Sequence, residues 1–363
     1  MREFYYKIRF ACIFYEAEVC MRNFQFQNVI IGDGFPAWII AEIGGNFSDF
    51  QTGRKLIDLA VSAGADAVKL QTYQAETIAT KKAVYDMPNV GKANQYELFK
   101  KGELSFELHK QIWDYCREKG ITVFSTPSHM KDVELLERLG CGIYKIGSDD
   151  AVNIPFLTEV AALGKPMILS TGMCTMSEVR ESVEAILGKG NSNLALLHCV
   201  TNYPSLPEHA NLRCIENMKC EFGLPVGYSD HTVGIEVSAA SAALGANIIE
   251  KHFTYDKNAE GPDHQLSADF DELKELIRSV RIIEKALGDG VKAPSAGETI
   301  TRRNNRKSVV SNVNIPKGTL ITKDMIAIKR PGYGIEPKHF FDVVGRTAKK
   351  DISAEEPILW EQI

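Results

Sequence analysis

Between residue 38 and about residue 253 the chain alternates between two hydrophobic rhythms. Short, largely apolar runs (AVKL, TVF, IYKI, MIL, LALL and NIIE) each follow closely on a glycine. Between them lie segments with apolar residues at helical spacing, such as Val133, Leu136 and Leu139 within residues 131–139. Runs this rich in apolar residues, without polar alternation, suit strands covered on both faces, whereas the wider period suits helices with one buried face. Gly64, Gly120, Gly140, Gly164, Gly190 and Gly245 stand where the helices must stop, because glycine enters the left-handed conformation without a Cβ penalty. Residues 38–43 in front and 225–228 after Gly223 bring the strands to eight, at steps of about 30 residues, the size of one βα unit. The pattern predicts an α/β fold, a TIM (β/α)8 barrel. A doubly wound open sheet is the alternative, and it lacks the Gly-rich phosphate fingerprint expected after its first strand.

One step is too long. Residues 71–105 form an insertion after the second strand, where a barrel carries its catalytic loops, so a lid is expected there. After Gly288 the composition turns to Gly, Pro, polar and basic residues. We read 288–306 as a linker and 307–363 as a small, mostly-β second domain. Residues 22–287 are then the barrel with an N-terminal hairpin. Residues 1–21 read as an N-terminal extension ahead of a natural start at Met21, since their longest uncharged stretch is too short for a signal-peptide core.

Composition narrows the function. Of 363 residues, 44% are hydrophobic and 25% charged, which excludes a disordered or low-complexity chain. With 42 basic residues against 47 acidic, there is no basic excess for binding nucleic acid. No apolar run reaches the ~20 residues of a membrane span. Eight cysteines without a C-x-x-C pair give no zinc-ribbon or redox motif, and a reduced, cytoplasmic protein is expected.

The strand ends are polar out of proportion to their strands. They carry Glu42 with Asn46, Lys69 with Gln71, Ser125 with Thr126, and Lys145 with Ser148 and Asp150. Ser170 with Thr171, His198 with Thr201, Ser229 with Asp230 and His231, and Glu250 with His252 complete the ring. Any single member could be a helix cap or a satisfied core group; eight in register point to a site. Lys69 and Lys145 among several hydroxyls suit a phosphate or a phosphorylated carboxylate. His231 and His252, on adjacent strands and with Asp230 and Glu250 beside them, can meet at one divalent metal. Two histidines alone leave open positions for Lewis-acid polarisation of a carbonyl. His198, inside LALLHC, reads as a packing or hydrogen-bonding residue. In the loop GPDHQLSAD, Asp263 is a candidate for gripping substrate hydroxyls, and His264 is expected on the loop surface.

These residues resemble the sialic acid synthase family, which makes nonulosonic acids from phosphoenolpyruvate and a hexosamine-derived sugar. The resemblance runs from about residue 28 through IIAEIGGN, AGADAVKLQT, ITVFSTP, YKIGS, GKPMILSTGM, LLHCVTNYP, GYSDHTVG, GANIIEKHFT and GPDHQLS. The segment from KSVVSNVNIPKG to IKRPGYGI is similar to the small antifreeze-like domain appended to these barrels. The resemblance implies that His231 and His252 are ligands of a divalent metal, manganese first, with magnesium or cobalt as alternatives. It implies that Lys69, Thr126, Lys145, Ser148, Ser170, Thr201 and Ser229 line the phosphoenolpyruvate pocket. Gln71, Tyr203, Glu250 and Asp263 would surround the acceptor sugar. Glu42 and Asp150 would stand near the reacting carbons. Arg330 would reach from the antifreeze-like domain into a partner subunit's site, in a domain-swapped homodimer.

The sequence departs from the family pattern at Phe47, at Ser128 and over residues 149–153, near the acceptor end. The acceptor is therefore open between N-acetylmannosamine and the diacetamido precursors of legionaminic or pseudaminic acid. A metal-dependent barrel hydrolase and a non-catalytic sugar-binding module are the rivals outside this chemistry.

Overall fold

The computed structural model describes residues 22–87 and 91–363; the reading of residues 1–21 lies outside the described residues. The chain divides into two compact units, the first ending at Gly288 and the second covering Asp289–Ile363.

In the first unit eight strands close into a parallel barrel: Trp38–Glu42, Ala67–Thr72, Thr122–Pro127, Tyr144–Ile146, Met167–Ser170, Leu194–Cys199, Val226–Asp230 and Ile248–His252. Each pairs with the next in sequence, and the eighth pairs with the first. We number them one to eight. All six glycines read as helix stops have positive φ, and Gly64, Gly120 and Gly140 directly cap their helices with φ of 92°, 70° and 73°. The helix starts are also written locally. Asp49 accepts the Thr52 N–H ahead of helix Phe50–Ala63, and Thr175 with Glu178 forms a capping box ahead of Met176–Leu187. Helix Met130–Leu139 buries Val133, Leu136 and Leu139 against the barrel, as its spacing predicts.

A two-stranded hairpin, Phe24–Phe26 with Val29–Ile31, closes the N-terminal end of the barrel. It is tied to the loops that enter the strands: the Gln25 N–H donates to Asn193 Oδ1 at 2.9 Å and the Arg22 N–H to the Gly223 carbonyl at 2.9 Å. The opposite end, where the polar strand ends converge, is left for the loops. There the insertion folds into a short helix Ala75–Ile78, a hairpin Val84–Met87 with Gly91–Asn94, and a helix Gln95–Gly102. Phe99 holds it together, packing edge-on against Tyr73 and Tyr85 at 5.2 and 6.0 Å between ring centres.

The second unit has its own core of Val309, Ile315, Ile321, Val343, Ile352 and Ile358 around an antiparallel pair, Ser308–Ser311 with Ile326–Lys329. Helix Thr299–Asn305 precedes it. Among the described residues no helix is long and apolar enough to cross a membrane.

One helix start carries a stability prediction. Asp132 is buried, accepts the Ser128 N–H at 3.2 Å through Oδ2, and leaves Oδ1 without a hydrogen bond. Burial pushes its carboxyl up to about 6, with His129 opposing and Asp150 adding to the rise. The folded protein therefore holds this proton where the unfolded chain, near 4, has lost it. Stability falls as pH rises from about 4 to 6 and stays low above that. Asp132→Asn should raise the melting temperature at pH 7.5, and the gain should vanish below about pH 4. Equal gains at both pH values in scanning calorimetry would refute the assignment.

Candidate active site

Strand register sets the site. Glu42 lies opposite Lys69 on one side and His252 on the other, while Ser229 lies opposite Glu250 and Cys199 opposite Ser229. Because side chains alternate along a strand, Ser229, Glu250 and His252 point into the barrel mouth, with His231 just past its strand end. Asp230 and Lys251 point outward to the helices. There they form a fully buried ion pair at 2.9 Å. Asp230 also accepts the Thr232 N–H and hydroxyl and the Ser238 hydroxyl, and Lys251 donates to the Thr232 carbonyl. Asp230 is thus fully engaged in fastening the strand-seven loop rather than facing the histidines.

Inside the mouth four buried charges form a neutral set. The Lys69 ammonium pairs with Glu42 and lies 3.7 Å from Glu250, which lies 3.6 Å from Lys145. Glu250 also accepts the Ser229 hydroxyl at 3.0 Å, and Lys69 donates to Thr126 Oγ1 at 3.2 Å. Burial opposes every one of these charges, and the four respond differently. At Glu42 burial outweighs the pull of Lys69 and raises the carboxyl, and at Lys145 burial lowers the ammonium. At Lys69 the carboxylates of Glu250 and Glu42 overcome burial and raise it, and at Glu250 the two lysines overcome burial and lower it.

At the ends of other strands stand hydroxyls with nothing to bond. Ser170 Oγ and Thr201 Oγ1 are buried without a hydrogen-bond partner among the described residues. Gly172 runs between them and Ser148: its N–H donates to Ser148 Oγ at 3.0 Å, and a Cβ there would fall 2.7 Å from that oxygen and closer still to Thr201 Oγ1. Orphaned buried hydroxyls cost roughly 1–3 kcal/mol each, so their retention in a barrel mouth that also holds two cations suits an anionic ligand.

The histidines meet on the strand-seven and strand-eight side. Their ring centres are 5.4 Å apart, and the Tyr203 ring lies 4.2 Å from that of His231 and edge-on to His252 at 6.1 Å. His231 Nδ1 donates to the Val200 carbonyl at 2.8 Å, which leaves its Nε2 lone pair available. His252 Nδ1 is buried without a hydrogen bond, 3.6 Å from Asp263 Oδ2. Burial, then the neighbouring His231, holds His252 well below its ordinary pKa and hence neutral. Two imidazoles offering free nitrogens fit a divalent metal. Among the described residues no set of three or more His, Cys, Asp or Glu is arranged as a closed cage, so further ligand positions fall to substrate or water.

Gln71 Nε2 lies 3.5 Å from Glu42 Oε1. Asp263 is pushed up to about 6 by burial, with His231 opposing. Asp150 follows strand four but its carboxylate accepts from Asn153 at 2.8 Å, and among the described residues no hydrogen bond or ion pair links it to the lysine–glutamate set. Arg330 follows the strand Ile326–Lys329 of the second unit and is exposed. His198 packs as expected, bonded to the Ala210 carbonyl at 2.7 Å. His264 corrects its expectation: it is buried, not on the loop surface, and its Nδ1 lies 2.6 Å from Thr254 Oγ1. The loop after strand eight folds back onto the barrel, and a run of polar residues gave no sign of that.

Two contributors were not anticipated. Cys199 Sγ lies 3.8 Å from His231 Nδ1. Tyr73 and Tyr85 of the insertion stand within the field of Asp263; burial, then Asp263, pushes Tyr73 up to about 12. Strand parity could have found Cys199, since it shares the register level of Ser229.

Residues 56–292 match the NeuB family and residues 306–363 the SAF domain. The chain is 40% identical to N,N'-diacetyllegionaminic acid synthase of Legionella pneumophila, covering 92% of this chain and 96% of that one. It is 36% identical to human N-acetylneuraminate-9-phosphate synthase, covering 92% and 94%. Among solved structures, the N-acetylneuraminic acid synthetase of Leptospira borgpetersenii, in complex with citrate, superimposes with a TM-score of 0.70 at 34% identity, covering 77% of this chain and 95% of that one. The chain belongs to the NeuB family of synthases, with a SAF domain at its C-terminal end.

Proposed function

We propose that the protein condenses phosphoenolpyruvate with the open-chain aldehyde of an N-acetylated hexosamine, giving a nonulosonic acid and inorganic phosphate. The observation that carries this reading is the pair of buried lysines together with the unpartnered hydroxyls of Ser170 and Thr201 at the C-terminal ends of other barrel strands. Lys69, Lys145, Thr126 and Ser148 complete an anion cradle for the phosphate and carboxylate, and Ser229 orients Glu250 beneath it. Carbon three of phosphoenolpyruvate bonds to the aldehyde carbon, and the cationic character left at carbon two is met by the carboxylates of Glu42 and Glu250. Water adds at carbon two, the phosphate ester breaks at its carbon–oxygen bond, and phosphate departs with the oxygen. Asp150, pushed up to about 6 by burial, has the proton affinity of a base for that water near neutral pH. Gln71, Tyr203 and Asp263 line the acceptor end.

His231 and His252 would hold a divalent metal, manganese in our reading, which when bound polarises the aldehyde oxygen. A homodimer in which Arg330 serves the partner's acceptor end, and a cytoplasmic location, complete the proposal.

A second acceptor is favoured by one observation. Identity is 40% with the legionaminic acid synthase and 36% with the N-acetylneuraminate-9-phosphate synthase. This favours the diacetamido precursor of legionaminic acid over that of pseudaminic acid, whose synthase is also 36% identical, and over N-acetylmannosamine or its phosphate. Phosphate release from phosphoenolpyruvate with manganese and a panel of both acceptor types tests the function. Release with either type supports the condensation and ranks the sugars, and release with none refutes it. Lys69→Ala should raise KM for phosphoenolpyruvate on the order of 10-fold to 100-fold, the loss of one charge-assisted contact of about 1.5–3 kcal/mol. An unchanged KM would remove Lys69 from the cradle.

A further inference from the structure

The second unit contains a site of a different kind. Although the whole chain carries a net charge of −5, residues 289–363 hold 13 Lys and Arg against 9 Asp and Glu. The excess gathers around an open cavity of about 500 Å³ lined only by residues of this unit. Arg302 and Arg306 stand one turn apart where helix Thr299–Asn305 ends, and Lys307 follows. Among the described residues, the side-chain ion pairs of this unit are Lys329–Glu355, Lys338–Glu336 and His339–Asp342. Glu336, the acidic residue of the cavity wall, is therefore already matched by Lys338 at 2.6 Å. Arg302 and Lys307 line the cavity without an ion-pair partner among the described residues, and Arg306, within the field of Glu336, has none at ion-pair distance.

A second cavity of about 500 Å³ adjoins the first and shares Gly334, Glu336 and Lys338 with it. Its character is aromatic, with Tyr333, His339 and Trp360 in its wall. Tyr333 is anchored in place. Gly332 donates its N–H to the Arg303 carbonyl at 3.0 Å, and a Cβ there would fall 2.8 Å from Arg306 Cβ, so the loop can run tight against the helix. The Tyr333 hydroxyl donates to Asn304 Oδ1 at 2.7 Å, and the Arg303 guanidinium lies 5.0 Å from the ring centre. Trp360 is 44% exposed, with the Arg346 guanidinium 5.2 Å from its ring centre and His339 edge-on at 5.4 Å, whereas Trp38 and Trp113 are buried in the barrel unit.

Unpaired guanidinium groups recognise phosphate through forked hydrogen bonds, and open aromatic faces stack on planar bases. Both compartments have the size of small-molecule pockets, roughly 300–1,000 Å³. We infer that the second unit binds a nucleoside diphosphate or triphosphate, with its phosphates on Arg302, Arg306 and Lys307 and its base against Tyr333 and Trp360. The site is lined by residues of the second unit alone.

The test is equilibrium dialysis of the full-length protein against ADP, CDP and inorganic pyrophosphate at low salt, with tryptophan fluorescence read in parallel. Both nucleotides should bind and quench Trp360. The Arg302→Gln/Arg306→Gln variant should weaken nucleotide and pyrophosphate alike by about tenfold or more. Trp360→Leu should weaken the nucleotides severalfold and leave pyrophosphate unchanged. If the double variant loses its far-ultraviolet circular dichroism, Arg306→Gln alone is read in the same way. Absence of nucleotide binding at millimolar concentration overturns the inference, as does pyrophosphate binding as tightly as ADP. An unchanged affinity in the arginine variant overturns it too. So does a parent that binds no nucleotide but whose oligomer dissociates in that variant, since the cluster is then a protein interface.

Discussion

His231→Ala should reduce metal-dependent turnover on the order of 10³-fold or more, a loss of about 4 kcal/mol of transition-state stabilisation. The ring is buried, and its Nδ1–H is engaged by the Val200 carbonyl while Nε2 is free to coordinate. Its removal leaves His252 alone, and one imidazole holds a divalent ion weakly. The check is kcat from phosphate release at saturating phosphoenolpyruvate and acceptor, with manganese binding measured on the same sample by paramagnetic resonance. Turnover and manganese affinity should fall together. Near-normal turnover would remove the pair from the chemistry, and lost turnover with intact metal binding would assign His231 another role.

The second large effect concerns stability as well as rate. Glu250→Gln keeps the shape of the side chain but removes the negative charge lying 3.6 Å from Lys145 and 3.7 Å from Lys69. Among the described residues Lys145 then has no carboxylate within ion-pair distance, and Lys69 keeps Glu42. Breaking a buried pair costs about 3–5 kcal/mol, with part of that relieved if Lys145, whose ammonium burial already lowers, gives up its proton. The melting temperature should drop by several degrees. The same change makes the cradle more positive, so phosphoenolpyruvate should bind more tightly and restore more of the lost stability than it adds to the parent. Calorimetry with and without phosphoenolpyruvate reads both effects. A variant that melts like the parent, or that binds phosphoenolpyruvate more weakly, would show that Glu250 is not the counter-ion of the lysines.

Much of the barrel was legible because its signals are local. A glycine with positive φ stands within three residues of the end of each of six helical segments, and the apolar runs after them are strands because both of their faces are covered. The ring of polar strand ends was legible for the same reason, since parallel strands in register bring their ends to one level. What escaped depends on direction and on long-range folding. Asp230 was read as a companion of the metal pair, yet it alternates with Ser229 and His231 and faces the helices. His264 was read as exposed because a polar loop carries no mark of folding back. Asp150 stands at the strand end where it was expected, and what the sequence did not show is the turn of 3-10 helix at Ser148–Asp150 and the bond to Asn153. The pairing of lysines with glutamates spans four strands, and no window of sequence contains it.

The outward pair Asp230–Lys251 has a consequence for the imidazoles on the other side of the wall. Lys251 joins strand eight to both Asp230 and the Thr232 carbonyl, so the segment carrying His231 is riveted to the strand carrying His252. In the proposed role the two rings would act as a bidentate chelator whose bite is set before any ion arrives. Little ordering entropy remains to be lost on coordination. A loosened rivet, as in Lys251→Met, should act like lengthening the backbone of a synthetic chelator: each donor survives, but the advantage of holding both at once is diminished.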